Sequence, residues 1–185
     1  MNNFIIQVEG VRNVGKTFLL NTLNNSIIYK FPFVKYFNEL HTYNIENVKQ
    51  QLNNDPKLFF LTLGYDITIL DLASKGLLKQ DLIVDRGILS DIVFGIQAQR
   101  IDKEFGLIVL NWIIKNYGHI FKVVYIFSDN IIDNRNKDEW KHYNIIETNK
   151  IYHYLFDNLN ITPIFFKNNF DKISIERFSQ CIESK

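Results

Sequence analysis

Residues 4–20 read Phe4-Ile5-Ile6-Gln7-Val8-Glu9-Gly10-Val11-Arg12-Asn13-Val14-Gly15-Lys16-Thr17-Phe18-Leu19-Leu20. A short apolar run ends at Gly10, Gly15-Lys16-Thr17 follows, and apolar residues then recur at helical spacing. The stretch Gly10 to Thr17 therefore fits Gly-x-x-x-x-Gly-Lys-Ser/Thr in the setting the pattern requires, a strand, a tight loop and a helix start. The residue types follow from the chemistry. Glycines let the backbone turn and come close to a phosphate, and N–H groups at a helix start converge on an anion. Lys16 is expected to bridge the β and γ phosphates of a nucleoside triphosphate, and Thr17 to hold Mg²⁺ through its hydroxyl. Gly10, Arg12, Asn13, Val14, Gly15 and Phe18 complete the expected contacts to that ligand.

Composition bounds what surrounds this loop. At 185 residues the chain is most simply one domain with room for a proper core. A hydrophobic share of 46% and a charged share of 22% are ordinary for a globular protein. The net charge of +1 offers no broad electrostatic footprint for long nucleic acid or a membrane surface. The longest apolar stretch, Leu107 to Ile114, is interrupted by Asn111 and far too short to span a bilayer. No secretion signal precedes the first strand, and the single cysteine, Cys181, suits a reducing cytoplasm, which is the expected location. The abundance of asparagine and isoleucine suggests an AT-rich genome, a viral one included.

Along the chain, 26–31 reads as a second strand closed by Pro32, and 44–52 as a short helix. Asp55-Pro56 opens a helix to about Ser74, with Gly76 as its terminator. Residues 81–85 read as a buried strand ending in Asp85-Arg86-Gly87. Helices are predicted over 88–100 and 103–117, the second apolar enough to be largely buried. A strand over 121–127, a polar segment carrying Arg135, a helix over 139–159, a strand over 162–166 and a helix over 171–183 complete the pattern. Such alternation predicts an α/β fold with a parallel sheet between helices.

Ligands of an open parallel sheet bind beyond the carboxyl ends of its strands. Glu9-Gly10, Pro32, Asp85-Arg86 and Ser128-Asp129 all fall at such ends. Asp85 is thereby placed to hold Mg²⁺, directly or through water. The chain carries sixteen lysines and five arginines, so the arginines carry weight. Arg86 is expected to clamp the accepting phosphate, and Arg135 to arrive from a lid over 130–142 and neutralise charge on the transferring group. His41, His119, His142 and His153 show no metal-ligand spacing, so zinc is not expected.

These motifs resemble the thymidylate kinase branch of the P-loop nucleoside and nucleotide kinases, from Phe4 to about Arg100 and more faintly through 134–157. The resemblance rests on Glu9-Gly10-Val11 with Gly15-Lys16-Thr17, on Lys30-Phe31-Pro32, and on Leu58 to Arg86 read as the acceptor-site helix plus the Asp-Arg motif. Ser90 and Phe94 match a serine and an aromatic after that motif. It implies a P-loop NTPase three-layer α/β/α sandwich with five parallel strands ordered 2-3-1-4-5, and transfer of the ATP γ-phosphate to a nucleotide. Lys16, Arg86 and Arg135 become the catalytic residues; Glu9, Pro32, Lys35, Leu61, Tyr65, Arg86, Ser90 and Phe94 the acceptor site; Thr17 and Asp85 the Mg²⁺ site. Four acceptor-side positions depart from the family. Lys35 stands near where an arginine grips the acceptor phosphate, Tyr65 where an arginine reads thymine, Leu61 where a phenylalanine stacks, and Arg12 where the loop carries an aspartate.

The acceptor expected is a small nucleotide, most simply a deoxynucleoside monophosphate. Three alternatives stand beside it. An unphosphorylated nucleoside would need a base such as Glu9 or Glu39; a polynucleotide 5′ end conflicts with the charge balance; and a regulatory nucleotide-binding module would have lost its acceptor site. Apolar segments at 58–72 and 88–96 offer a face for a homodimer, as helices do in the resembling family.

Overall fold

The computed structural model describes residues 4–23, 28–30, 56–78, 81–129, 144–159 and 162–183. In chain order the elements are β1 (Ile5–Glu9), α1 (Lys16–Leu20), β2 (Ile28–Lys30), α2 (Pro56–Ser74), β3 (Leu82–Asp85), α3 (Ile88–Gln97), α4 (Lys103–Tyr117), β4 (Phe121–Phe127), α5 (Ile145–Asn158), β5 (Ile164–Lys167) and α6 (Lys172–Glu183). Strands β3, β1, β4 and β5 form the body of a parallel sheet, and the three residues of β2 extend it beyond β3, giving the order β2-β3-β1-β4-β5. β1 is central. It registers Val8 against Asp85 on one side and Val124 on the other, and all five of its residues are buried.

The two-residue alternation of β1 sorts the core into layers. Ile5, with Val84, Val123 and Tyr125, faces a cluster supplied by α2, α3, α4 and α5. Ile6 and Val8, with Val124, Ile126 and Phe166, face a smaller one supplied by α1 and α6. The sheet thus lies between two helical layers, with the loop after β1 at its carboxyl edge.

Local signals explain most boundaries. α2 starts at Pro56 and ends where Gly76 takes φ +67, with Leu77 N–H donating to Leu72 O and Gly76 N–H to Ala73 O. That pairing satisfies the last carbonyls and needs a left-handed residue, which glycine supplies without strain. Asp102 caps α4 through its side chain, which accepts from Phe105 N–H.

The structure corrects three expectations. α5 begins at Ile145, not at residue 139, because Asn144 is extended and its Oδ1 accepts from Ile146 and Glu147 N–H, the geometry of an N-cap. α4, expected to be largely buried, hides only Gly106, Leu110 and Ile113, whereas Ile108 is 66% and Trp112 49% exposed. Its apolar residues are too many for one stripe, so the surplus faces outward. The buried helix is α3, where eight of ten residues are out of solvent. Residues 88–96 therefore cannot supply a dimer face, since α2, α4 and α5 cover them. Pro32, Lys35, Glu39, Arg135, the helix predicted over 44–52 and the lid over 130–142 lie outside the described residues.

Candidate functional site

The loop between β1 and α1 is held by two glycines that no other residue could replace. Gly10 has φ +133, and a Cβ there would lie 2.3 Å from Ile126 O on β4. Gly15 has φ +84, and a Cβ there would lie 2.3 Å from Asn168 Nδ2. Asn13 is also left-handed, at φ 66, a conformation asparagine tolerates better than most residues. Val14 is fully buried and anchors the loop in the α1–α6 layer. Arg12 is half-buried, while Thr17 and Phe18 are exposed at the start of α1.

Lys16 folds back across this loop. Its Nζ donates to Gly10 O at 2.9 Å and Val11 O at 2.6 Å, and the residue is 6% exposed. Burial, then the positive charge of Arg86, hold its ammonium well below the usual lysine range, against the opposing pull of Asp85 and Glu9. Arg86 arrives from the end of β3, with Nη1 3.3 Å from the same Gly10 carbonyl. Two cations from distant parts of the chain thus meet at one carbonyl. An anion placed there would relieve both the desolvation of Lys16 and its repulsion by Arg86, so the residues present fit a phosphate group.

Arg86 sits in the left-handed region at φ 68, which costs an ordinary residue roughly 1 kcal/mol or more. Its backbone N–H is tied to Val8 O at 3.1 Å, and its guanidinium lies 5.0 Å from the centre of the Phe94 ring. Arg86 and Phe94 are therefore brought together. Asp85 ends β3 beside them, half-buried, and α1 packs against that strand. A hydroxyl on Thr17 and a carboxylate on Asp85 are oxygen donors of the kind Mg²⁺ takes.

Glu9 and Ser90 occupy a different place from the one expected. Glu9 is fully buried, with Oε1 accepting from Gly87 N–H at 2.8 Å and Oε2 accepting from Ser90 Oγ at 2.5 Å and Tyr152 Oη at 2.9 Å. Burial raises its carboxyl above the usual range, and these hydrogen bonds and Arg86 only partly offset it. With Ser90 also at 0% exposure, neither residue contacts an acceptor directly. They lock the start of α3 to the end of β1 and so set the position of Arg86. Both Glu9 carboxylate oxygens are engaged by these internal donors.

α2 also presents a different face. Its buried stripe is Phe59, Leu63, Asp66, Leu70 and Ala73, spaced by three and four residues. Leu61 lies on the opposite side, 63% exposed, and Tyr65 on the flank, 44% exposed. Helical periodicity puts Leu61, expected at the acceptor site, on the side of α2 away from its buried stripe. Facing α3 instead is Asp66, opposite Asp91. Asp66 Oδ2 and Asp91 Oδ2 are out of solvent and meet no hydrogen-bond donor. Burial, then the charge of Glu9, push Asp66 up to about 7; burial and Asp66 hold Asp91 well above the carboxylate range. Burial and their mutual repulsion favour the protonated form of each carboxyl, and Thr62 is bonded to Asp91.

The turn after β5 closes the other side of the loop. Asn168, fully buried, donates from Nδ2 to Val14 O at 2.9 Å and accepts at Oδ1 from Phe170 N–H at 2.9 Å. Phe170 is left-handed, at φ 60, and its ring stands 6.3 Å from that of Phe18. Sequence reading applied the strand-end rule to four ends and passed over this fifth, where Lys167-Asn168-Asn169 follows an apolar strand. The same rule finds it. Tyr152, Asp66 and Asp91 carry no such signal, because each lies within a helix where only packing reveals its partner.

No family model and no curated protein sequence matches the chain. Solved structures do. NadR protein in complex with NR superposes with a TM-score of 0.61 at 12% identity over 98% of this chain and 50% of that one, so the chain spans half the length of NadR. YorR protein from Bacillus subtilis, in complex with phosphorylated GDP, superposes with a TM-score of 0.53 at 20% identity over 96% of this chain and 93% of that one. This chain has the α/β, parallel-sheet fold that those two ligand-bound proteins share.

Proposed function

We propose that the protein is a phosphotransferase that moves the γ-phosphate of Mg²⁺-ATP to a small nucleotide, a deoxynucleoside monophosphate being the simplest acceptor. One observation carries the reading: Lys16 from the loop and Arg86 from the end of β3 converge on Gly10 O. A protein that only bound ATP would need the first cation. The second, held in a costly backbone conformation, has use where another phosphate must be brought to the first. The two neighbours that hold NR and phosphorylated GDP support a small nucleoside or nucleotide as partner.

In this reading Lys16 and the loop N–H groups hold the donor phosphates, and Thr17 and Asp85 hold Mg²⁺, which would screen the charge of the triphosphate. Arg86 holds the acceptor phosphate, with Phe94 beneath its guanidinium keeping it extended. Phe18 and Phe170, both exposed beside the loop, offer flat apolar surface to the donor base. In the same reading Arg135 neutralises charge on the transferring group, and Pro32 and Lys35 belong to the acceptor site. Little covalent help is needed, because positioning and charge neutralisation supply most of the catalysis. The replacement at Tyr65, where the resembling family reads thymine with an arginine, argues that thymidylate is not the acceptor.

Incubation with Mg²⁺-ATP and each ribo- and deoxynucleoside monophosphate, then each nucleoside, with ADP and product measured, tests the reading. Turnover of one acceptor that disappears in Lys16→Ala is the expected result. ADP release that no acceptor stimulates would refute it and leave a regulatory nucleotide binder.

A further inference from the structure

We propose that Asn168 is a positioning residue for the phosphate loop, orienting the peptide between Val14 and Gly15 so that the Gly15 N–H is held ready for a triphosphate oxygen. This rests on the reading of the loop as a phosphate site and adds a residue that its sequence motif does not contain.

The orientation of the Asn168 amide is decided by its partners. Phe170 N–H can only donate, so the atom facing it at 2.9 Å is Oδ1, and Nδ2 must face Val14 O, also at 2.9 Å. Both bonds are of ordinary length, and Asn168 is at 0% exposure, so water cannot substitute for either partner. Its own N–H donates to Phe127 O at 2.9 Å, which fastens the residue to the end of β4. The amide is therefore pinned to the sheet edge at one end and reaches the loop at the other.

Peptide geometry carries the consequence. In a trans peptide the C=O and the following N–H point in opposite directions. With Val14 O drawn to Asn168, Gly15 N–H is sent away from the turn after β5. Gly15, which follows that peptide, is at φ 84, and glycine reaches both signs of φ at little cost, so the peptide between 14 and 15 can flip unless its carbonyl is held. Asn168 is that hold. The contact is close on the other side too, since a Cβ on Gly15 would lie 2.3 Å from Nδ2 and 2.7 Å from the Phe170 ring. The turn itself is braced, Asn169 N–H donating to Ser174 Oγ at 3.1 Å and Ser174 N–H to Asp171 Oδ1 at 2.7 Å, so α6 supports the amide that supports the loop.

The test separates positioning from simple stability. Asn168→Leu keeps the branched outline, removes both hydrogen-bonding atoms and adds no charge. Its affinity for Mg²⁺-tripolyphosphate and for Mg²⁺-ATP should fall by the same factor, about tenfold or more, as a lost charge-assisted hydrogen bond predicts. In ¹⁵N-labelled protein well below its melting temperature, the Gly15 amide proton should lose its downfield shift on adding tripolyphosphate, while that of Lys16 keeps its own. Unchanged affinity with an unchanged Gly15 shift overturns the proposal, as does a loss for ATP alone, which would place Asn168 at the donor base. If Asn168→Leu is too unstable to assay, Asn168→Ser, with a shorter side chain that cannot span to Val14 O, serves the same comparison. Failure of the underlying reading is distinct: wild type and Lys16→Ala would then bind tripolyphosphate equally or not at all.

Discussion

At the scale of single residues, the site depends on backbone conformations that side chains oppose. Gly15→Ala would place a methyl at a positive φ and 2.3 Å from Asn168 Nδ2, so the loop must shift to accept it. The expected result is at least tenfold weaker ATP binding by calorimetry, from roughly 1–3 kcal/mol of strain. Arg86 is the converse case, an arginine kept at φ 68 although glycine or asparagine would rest there more easily. The strain persists because the guanidinium, between Gly10 O and Phe94, has a task no smaller side chain performs. Lysine lacks the planar fork, so Arg86→Lys should raise KM for the acceptor about tenfold while KM for ATP changes little, as steady-state kinetics would show.

At the scale of elements, the contact between α2 and α3 carries an unusual cost. Asp66 and Asp91 are buried against each other, which favours their protonated forms, whereas both ionise at ordinary carboxylate pH in the unfolded chain. The sign follows directly. The folded state binds more protons than the unfolded one between the ordinary aspartate range and about 7, so this contribution to stability is complete at low pH and is lost as pH rises through about 7. The melting temperature should fall from pH 5.5 to 8, a range chosen to bracket that titration. In Asp91→Asn the fall should be much smaller, because the amide carries no charge to desolvate and can donate to Asp66. A pH profile as steep as wild type would show that the pair is not the titrating group.

At the scale of the whole molecule, two cores flank one sheet, and the exposed faces of the helices are free to vary. Ile113 belongs to the larger core at 0% exposure, and Ile108, five positions earlier on α4, is 66% exposed. Ile113→Ala should cost about 2–4 kcal/mol in urea unfolding, and Ile108→Ser no more than about 0.5 kcal/mol. Equal losses would mean that the outer face of α4 is covered in solution, and with Trp112 it would then become the candidate surface for a second copy. α3, its apolar residues already used against α2, α4 and α5, has none to offer.

Much of this was legible before any coordinates. The phosphate loop declares itself because it needs glycine at two left-handed positions and lysine after the second, and these demands are local. The parallel sheet between helices is legible for a similar reason, since strand and helix leave different periods in the chain. Helix starts and stops at Pro56, Gly76 and Asp102 follow from capping, again local chemistry. What the chain could not declare is which side of an apolar helix turns inward and which distant group meets a polar side chain. α4 looked buried and α3 proved to be, because burial depends on neighbours that fold onto a helix and not on its own composition. Glu9 looked like a ligand residue at a strand end, until Ser90 and Tyr152, far along the chain, closed over it. Asn168 was one asparagine among many until the sheet carried it to Val14 O across 154 positions. The sequence by itself determined the loop, the elements and the chemistry available at the sheet edge, all written in short-range preferences. Only the tertiary structure decided which of those groups meet, because burial and hydrogen bonding are properties of pairs that the chain brings together by folding.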